Sequence, residues 1–290
     1  MKKILLFGAT GFLGLNLIKK LEQEHEVKIM IHKSELISKI PKFKGDILEK
    51  ESFIKEIDSD DIIVNLVGQI SNSDDDLINS NILGAINLLT SCVEKNVKRI
   101  ILISSINVYG ENQKSPSMEY DKLNPLTNYG IVKMITEKIY QNFSKNFNLS
   151  ITVIRLSGIY GPDKKIGFLS QLINSIENKS IIPKLYNNGN QQRDMLFVSD
   201  AINGIYKAIQ YEHEGFEIFN ISSGKRYSIN QLINKIEKIT NLPIDVEYIS
   251  EIKDERCIWA NYNKAKKFLN FEPLIDIDSG LRKLFVESKD

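Results

Sequence analysis

Short apolar runs alternate with stretches of helical periodicity along the first two-thirds of the chain. The apolar runs carry no polar alternation, which is typical of strands that are buried on both faces of a sheet. They predict strands over residues 4–7, 27–31, 62–67, 100–103 and 151–156, and a late strand over 216–221 that returns to the same sheet. Helical spacing predicts helices over 12–21, 77–94 and 129–143. This alternation indicates an α/β fold, a doubly wound parallel sheet with helices on both faces.

Composition and charge narrow the class of partner. The chain has 38 basic and 37 acidic residues, so it lacks the basic excess of proteins that bind nucleic acid or a membrane surface. Two distant cysteines, Cys92 and Cys257, predict neither a disulfide framework nor a metal cluster. The apolar run at residues 4–7 is too short for a signal peptide, and no run approaches the roughly 20 apolar residues of a membrane span. We expect a cytoplasmic protein with no metal, no nucleic-acid partner and no membrane partner.

Three glycines lie where the first predicted strand passes into the first predicted helix. Glycine lets the backbone turn sharply and approach a pyrophosphate, and the amides and positive end of the following helix attract that anion. Glycine triplets also occur by chance in simple strand–turn–helix units, but this position favours dinucleotide binding and a Rossmann-like fold. The predicted cofactor contacts in this turn are Gly8, Thr10, Gly11, Phe12, Leu13 and Gly14.

The Gly-x-x-Gly-x-x-Gly spacing resembles that of the extended short-chain dehydrogenases/reductases, in particular the NAD-dependent epimerase/dehydratase family that acts on sugar nucleotides. The resemblance runs from Met1 to the segment 272–274. It implies that Asp46 accepts a hydrogen bond from the adenine amino group, with Ile47 beside it. It also implies that the strand end formed by Leu66, Val67 and Gly68 lies beside the cofactor.

The pattern loosens after Gly161-Pro162, where helical stretches at 168–176 and 229–239 mix with short strands and turns. We therefore predict a dinucleotide-binding domain over residues 1–161, to which residues 195–222 return. Residues 162–194 and 223–290 are predicted to form a smaller C-terminal substrate-binding lobe over the carboxyl edge of the sheet.

The end of the second predicted strand bears on the choice of cofactor. Forms that use NAD usually end this strand in an acid that holds both ribose hydroxyls. Here Ile31 stands at that place and is followed by His32 and Lys33. The missing acid removes repulsion against a 2′-phosphate, and the two cations attract one, so the sequence favours NADP over NAD. The alternative is that His32 and Lys33 are solvated loop residues and NAD is bound.

Tyr129 and Lys133 have the Tyr-x-x-x-Lys spacing, which puts both side chains on one helix face. A nearby ammonium favours phenolate and lowers a tyrosine pKa from its usual value near 10. We therefore expect Lys133 to lower the pKa of Tyr129, so that Tyr129 exchanges a proton with a sugar hydroxyl or ketone. Such pairs also occur on ordinary helix surfaces.

The segment 104–110 resembles the Ser-Ser-x-x-Val-Tyr-Gly signature of the same family. The resemblance implies that Ser105 binds the reacting oxygen of the substrate. It also implies that Tyr129 and Lys133 lie beside Ser105 and contact the cofactor. The alternative is a strand-end serine that caps a turn. The order of glycine turn, Ser105, Tyr129 and Lys133 along the chain favours the catalytic interpretation.

The segment 188–200 resembles the Arg-Asp segment of sugar-nucleotide epimerases and dehydratases. The resemblance implies that Arg193 clamps the substrate diphosphate, a task suited to its fork of donors. The alternative is a structural ion pair with Asp194. Asp200 is predicted to cap the helix that follows.

Three departures from the family pattern narrow the choice among the reactions that the family catalyses. Ile106 and Asn107 replace the Asp-Glu pair of the dehydratases, which argues against 4,6-dehydration. Gly158 replaces the asparagine of the hexose 4-epimerases, which weakens that assignment. Val132 replaces the usual serine inside Tyr-x-x-x-Lys, a change that should not touch the proton chemistry.

These features support three hypotheses. The first is an NADPH-dependent reductase of a nucleotide-linked 4-keto-6-deoxyhexose, in which Tyr129 protonates the C4 alkoxide held by Ser105. The second is a nucleotide-hexose 4-epimerase that keeps its cofactor. The third is a non-catalytic regulator that senses NADP, which the presence of both Tyr129 and Lys133 disfavours. The family resemblance also implies a homodimer that pairs through the helices predicted at 77–94 and 129–143.

Overall fold

The computed structural model describes residues 1–34, 39–68, 73–111, 114–164, 167, 169–172, 182–250 and 257–285. Its strands are β1 Lys3–Phe7, β2 Glu26–Ile31, β3 Lys42–Lys44, β4 Asp61–Asn65, β5 Arg99–Ser105, β6 Ser150–Leu156, β7 Gly158–Tyr160, β8 Lys184–Tyr186, β9 Gln192–Phe197, β10 Phe216–Ile221, β11 Arg226–Ser228, β12 Glu247–Ile249 and β13 Cys257–Ile258. Seven of them form one sheet in the order β10-β6-β5-β4-β1-β2-β3. All neighbours in this sheet are parallel.

The strand order reverses between β1 and β4, because β1 leads to β2 on one side while β4 leads to β5 on the other. Two chain connections therefore leave the carboxyl edge in opposite directions at this point. Such a switch point opens a crevice outside the carboxyl ends of the strands, which is where ligands bind in open α/β sheets. The fold thus directs attention to the residues that follow β1, β4 and β5.

The helices are α1 Phe12–Leu21, α2 Asp74–Ile78, α3 Gly84–Glu94, α4 Asn128–Phe147, α5 Val198–Gln210, α6 Ile229–Thr240, α7 Asn263–Leu269 and α8 Ile277–Phe285, with a π-helical turn Asn79–Leu83 between α2 and α3. Short 3-10 turns occupy Lys50–Ser52, Ile54–Glu56, Ile106–Val108 and Asn187–Gly189. Helix α4 begins after Thr127, whose side chain accepts from the amide of Gly130 at 3.1 Å. None of the helices in the described part of the chain combines the length and apolar content that a bilayer crossing requires.

Two hydrophobic cores lie on opposite faces of the main sheet. On one face, Leu6 of β1 packs in a cluster with Leu17 of α1 and Ile205 of α5. On the other face, Leu5 and Phe7 of the same strand join a cluster with Leu88 of α3. Successive side chains of a strand point to opposite faces, and here both faces are covered. This explains why the strands are continuous apolar runs.

The main elements follow the hydrophobic pattern closely, and the α/β, Rossmann-like fold class is confirmed. Helix α1 has the predicted bounds, and β10 pairs with β6 as the predicted late strand. The strand predicted over 62–67 ends earlier, at Asn65, and the helix predicted over 77–94 is interrupted by the π-helical turn. Most of the helix predicted over 168–176 lies outside the described residues.

The remaining strands form small sheets that the apolar pattern does not reveal. Strand β9 pairs with β7, β11 and β13, and β12 pairs with β8. Only one residue, Ser157, separates β7 from β6, so the four-stranded sheet begins at the carboxyl edge of the main sheet. These strands have two to six residues and mixed polarity, which is too little for a period-two pattern to be recognised.

The prediction that Asp200 caps a helix is wrong. The N-cap of α5 is Phe197, and Asp200 lies inside the first turn of that helix. Its buried carboxylate accepts from the amides of Leu274 and Ile275 at 3.0 and 2.9 Å. Asp200 therefore fastens the C-terminal segment to α5, a long-range contact that a local capping pattern cannot indicate.

Substitution of Gly14 tests the close contact between α1 and the preceding turn. A Cβ at Gly14 would lie 2.4 Å from the carbonyl oxygen of Ala9, which is backbone and cannot move aside. Gly14→Ala should lower the free energy of unfolding by about 1–3 kcal/mol, measured by denaturant titration. Gly11→Ala is the matched control, because its Cβ would meet nothing closer than the Gly8 oxygen at 3.4 Å. Equal stability of the two variants would contradict the close packing.

Candidate active site

The glycine turn after β1 has the geometry of an anion cradle. Gly8 has φ +81°, and a Cβ there would lie 2.9 Å from the carbonyl carbon of Leu66, at the end of β4. Helix α1 begins after Gly11 with no side-chain capping bond and no acidic residue in its first turn. Its first amides have no partner within the helix. The turn therefore fits a pyrophosphate, as predicted for the segment from Gly8 to Gly14.

The end of β4 supplies a second polar surface of the crevice. Gly68 has φ +147°, and a Cβ there would lie 2.0 Å from Nζ of Lys133 and 2.7 Å from Oδ1 of Asn81. That Asn81 oxygen is buried and has no hydrogen-bond partner in the described part of the chain. A buried acceptor without a partner points to a missing ligand group. The strand end at Leu66, Val67 and Gly68 thus fits a dinucleotide.

Asn81 was not among the residues predicted from the sequence. It lies in the π-helical turn, a distortion often found at functional sites. The signal was available, because Asn81 falls in the buried periodicity of Leu77, Ala85 and Leu88, where an apolar residue is expected.

The end of β2 carries the two residues predicted to choose between cofactors. Nδ1 of His32 lies 3.3 Å from the Gly45 oxygen and 3.7 Å from Oδ2 of Asp46, and Lys33 is exposed. Asp46 also accepts from the amide of Leu48 at 2.9 Å. An acid is therefore present beside His32, although it comes from the segment after β3 and not from the end of β2.

Ile47 points away from the crevice. Its side chain is buried in the core beneath α3, and a Cβ at Gly84 would lie 2.9 Å from one of its methyl groups. Any contact between Ile47 and a cofactor must therefore use the backbone.

The structure brings Ser105, Tyr129 and Lys133 together at the carboxyl edge. Ser105 ends β5, and Tyr129 is the second residue of α4. Nζ of Lys133 lies 5.9 Å from the centre of the Tyr129 ring, one helical turn further along. Ser105 lies close enough to Tyr129 for its hydroxyl to lower the pKa of the phenol.

The expectation that Lys133 lowers the pKa of Tyr129 is wrong for this structure. Burial raises the pKa of Tyr129 to about 12, opposed only by the hydrogen bond from Ser105. The Lys133 ammonium donates to the Ile103 carbonyl at 3.1 Å, so it is directed at the strand and not at the phenol. Burial also lowers the pKa of Lys133 to about 8, and the charge of Glu137 opposes that change.

A buried ion pair beneath Lys133 was not predicted. Glu137, one turn after Lys133, accepts from Nη2 of Arg155 at 2.7 Å and from the Ser104 hydroxyl at 2.5 Å. Arg155 also donates to the Tyr109 hydroxyl at 2.8 Å. These bonds tie α4 to β5 and β6. The recurrence of polar residues every four positions from Tyr129 is the sequence signal for them.

Ser105 caps a turn at the end of β5, which was the alternative interpretation from the sequence, and its binding of the substrate oxygen stays a prediction. Its hydroxyl oxygen caps the 3-10 turn Ile106–Val108 by accepting from the amide of Asn107 at 3.2 Å. The same oxygen accepts from Nδ2 of Asn107 at 3.0 Å. Capping and contact with Tyr129 are thus compatible, because a hydroxyl can accept and donate at once.

A cavity of about 360 Å³ extends from Asn107 to Arg193. Arg193, on β9, donates to the Gln192 carbonyl at 3.0 Å. The buried Asp194 carboxylate accepts from Ser223 instead, and burial raises its pKa to about 6. The contacts of the described residues therefore do not include the Arg193–Asp194 ion pair that was the alternative.

A second cation, Lys164, lines the same cavity and was not predicted. Its ammonium donates to the Ile159 carbonyl and lies 5.7 Å from the centre of the Phe12 ring. Burial lowers the pKa of Lys164 to about 8. Together with Arg193 it gives the cavity two positive groups, which suits an anionic ligand. A lone lysine in a loosely patterned segment carries no sequence signal.

The switch-point crevice and the groups around it define a dinucleotide-binding α/β enzyme. The model of the NAD dependent epimerase/dehydratase family matches residues 4–222. The chain belongs to this family.

Individual relatives have several activities. The chain is 32% identical over 217 residues to UDP-glucuronate 4-epimerase of Thermodesulfobacterium geofontis, covering 73% of this chain and 66% of the relative. It is 25% identical to dTDP-4-dehydro-6-deoxyglucose reductase of Escherichia coli, covering 97% and 96%. Among solved structures, it is similar to UDP-glucose 4-epimerase of Thermotoga maritima with UDP-glucose, at 27% identity and a TM-score of 0.89, covering 98% and 97%.

The pKa of Lys133 predicts a pH dependence of stability. Its folded pKa of about 8 lies below the ordinary value of 10.5, so between these values the unfolded chain binds the proton that the folded chain has lost. Stability from this group therefore rises with pH across that window. The free energy of unfolding, relative to Lys133→Met, should rise on the order of 1–3 kcal/mol from pH 8 to pH 10.5. If the difference in free energy of unfolding between the unaltered protein and Lys133→Met did not change with pH, burial of the Lys133 charge would be contradicted.

Proposed function

We propose that this chain catalyses hydride transfer at C4 of a nucleotide-linked hexose, with 4-epimerisation as its reaction. The observation that carries the proposal is the meeting of Ser105, Tyr129 and Lys133 beside the glycine turn at the switch point. A cavity with two cations opens from the same edge through Asn107. A substrate-binding lobe formed by residues 162–194 and 223–290 would then cover this edge.

The chemistry assigns one task to each side chain. When bound, a nicotinamide dinucleotide supplies the acceptor and donor of hydride. Tyr129 would take the proton of the C4 hydroxyl as C4 is oxidised and return it when C4 is reduced from the other face. Ser105 would donate a hydrogen bond to the C4 oxygen. Lys133 donates to the Ile103 carbonyl in this structure, so it would stabilise the phenolate form of Tyr129 only after turning toward the phenol from its position 5.9 Å from the ring centre.

The relatives and the cavity support the substrate class. The most identical of the three relatives described above is named a UDP-glucuronate 4-epimerase, and the similar solved structure is a UDP-glucose 4-epimerase holding UDP-glucose. A nucleotide diphosphate needs cationic donors, which Arg193 and Lys164 would supply. The proposal therefore places the diphosphate toward these two side chains and the hexose toward Asn107.

A second candidate is reduction of a nucleotide-linked 4-keto-6-deoxyhexose with NADPH. It is favoured by the lack of an acid at the end of β2, where His32 and Lys33 would attract a 2′-phosphate. It is also favoured by Tyr129, because a phenol whose pKa is raised to about 12 is ready to protonate an alkoxide. Asp46, 3.7 Å from His32, weakens the preference for NADP and favours NAD. The reductase relative from Escherichia coli supports the reaction class.

Substitution of Tyr129 tests the chemistry that both candidates share. Tyr129→Phe should lower turnover about 10²–10⁴-fold, because the proton-transfer group is lost while the fold and the glycine turn are kept. The measurement is a panel of UDP- and dTDP-hexoses and their 4-keto forms, with NADH, NADPH or no added cofactor, followed at 340 nm and by product analysis. Unchanged binding of dinucleotide by Tyr129→Phe is the control.

The panel separates the two candidates. An epimerase should interconvert C4 epimers without added cofactor, from dinucleotide that stays bound on purification. A reductase should consume free NADPH or NADH in proportion to product. Lack of turnover and of binding across the whole panel would refute the proposed substrate class.

We also infer that the protein forms a homodimer through α3 and α4. These helices present an apolar groove lined by Ile86, Met134, Ile135, Lys138, Ile139, Asn142 and Phe143. Ile86 and Ile135 are each 38% exposed and lie in the same groove, and contiguous exposed apolar side chains mark interaction surfaces. A second copy of the same face, related by a twofold axis, would bury these side chains.

An added charge in this face should dissociate the dimer. Ile135→Asp would place a carboxylate inside the interface and should weaken dimerisation by about a hundredfold or more, measured by sedimentation equilibrium. Leu274→Asp is the matched control, because Leu274 is 77% exposed and lies outside α3 and α4. A monomeric unaltered protein, or equal dissociation by both variants, would contradict the inference.

A further inference from the structure

Asn107 contacts the proposed catalytic group from the cavity side. It lies in the 3-10 turn after β5 and forms part of the cavity wall. Its backbone amide and its Nδ2 both donate to the Ser105 oxygen, at 3.2 and 3.0 Å. Neither the family resemblance nor the relatives give a role to an asparagine at this place.

The two bonds from Asn107 constrain the direction of every other bond that Ser105 makes. A serine hydroxyl has two acceptor positions and one proton. Both acceptor positions are taken by Asn107, so Ser105 has only its proton left to offer. Tyr129 is a neighbouring group to which that proton is available, because Ser105 favours the phenolate form of Tyr129. A Ser105 that is 7% exposed also has little water available to alter this arrangement.

We propose that Asn107 is a positioning residue that fixes Ser105 as a hydrogen-bond donor, toward Tyr129 when no substrate is bound and toward the reacting oxygen when substrate is bound. A donor to that oxygen stabilises the negative charge that develops there, whereas an acceptor would oppose it. The amide cannot act as an acid or base itself, so its effect passes through Ser105. This inference rests on the proposed function, because it assigns a direction to the proton chemistry proposed above.

A purely structural role for Asn107 makes a different prediction. If its side chain only stabilised the 3-10 turn, its replacement would lower the stability of the protein and reduce activity by the same factor at every pH. If it orients Ser105, the effect must disappear when the Ser105 hydroxyl is absent. A double-mutant cycle between the two positions therefore separates the roles.

The kinetic test uses Asn107→Leu, which removes the side-chain donor at similar volume, and Asn107→Asp, which replaces it with an acceptor. The measured quantity is the rate of hydride removal from the sugar between pH 6 and 10. Asn107→Leu should lower kcat about tenfold, with KM changed little. It should also shift the pH at which activity rises upward by about one pH unit. Asn107→Asp should have the larger effect, because a carboxylate attracts the Ser105 proton away from the reacting oxygen.

The cycle and a remote control complete the kinetic test. In a Ser105→Ala background, Asn107→Leu should cause no further loss. Asn146→Leu removes an asparagine donor near the end of α4 and should keep the pH profile of the unaltered protein. Apart from the carboxylate that Asn107→Asp adds, the charged groups around the site are the same in every variant: Lys133 and Glu137 on α4, Arg155 on β6, and Lys164, Arg193 and Asp194 on the cavity wall. An equal loss in the Ser105→Ala background, or an unmoved pH profile, would overturn the proposal.

A measurement without substrate keeps the inference testable if the proposed reaction is wrong. In protein labelled with ¹⁵N in asparagine side chains, the Nδ2 resonance of Asn107 is identified by its loss in Asn107→Leu. Ser105→Ala should shift one of its protons and speed the exchange of that proton with water several-fold. An unchanged resonance would show that Asn107 does not donate to Ser105, whatever reaction the protein catalyses.

Discussion

The ammonium of Lys133 is buried under the carboxyl edge of the main sheet, and the surrounding elements are arranged to accommodate it. The Ile103 carbonyl accepts from it, Gly68 leaves room for it, and Glu137 supplies the nearby negative charge. Glu137 is in turn held by Arg155, so β5, β6 and α4 meet around this one charge. A buried charge is tolerated only where hydrogen bonds and a partner replace water. The same constraint fixes where Tyr129, one turn earlier, enters the crevice.

Burial favours the uncharged form of each titratable group around the site. It keeps Tyr129 protonated and lowers the pKa values of Lys133 and Lys164 to about 8. In this state the phenol is an acid, and a base only when further positive charge reaches it. The two proposed reactions, 4-epimerisation and reduction of a 4-keto sugar, differ in the protonation state of Tyr129 that they need first. Reduction of a ketone uses the protonated phenol at once, whereas oxidation of an alcohol first needs the phenolate.

The small four-stranded sheet is joined to the main sheet by buried polar contacts. Asp194 of β9 accepts from Ser223, just after β10, and so links the two sheets. A further set ties the segment after β5 to the main sheet, because Asn220 of β10 accepts from the Tyr109 hydroxyl and donates to the Ser117 carbonyl. Such contacts keep the two parts in a fixed relative position, because breaking one leaves a buried polar group without a partner. They therefore fix the wall that carries Arg193 relative to the edge that carries Ser105.

The sequence by itself determined six of the seven strands of the main sheet, helix α1, the glycine turn and the spacing that unites Tyr129 with Lys133; the short edge strand β3 was not predicted. These depend on local periodicity and on contacts within one helical turn, which are written along the chain. Only the tertiary structure decided that Asp200 binds the segment before α8, that Asn81 and Lys164 face the crevice and cavity, and that Tyr129 stays protonated. Burial and long-range hydrogen bonds arise from elements far apart in sequence. No spacing rule along one chain can express how much water those elements exclude.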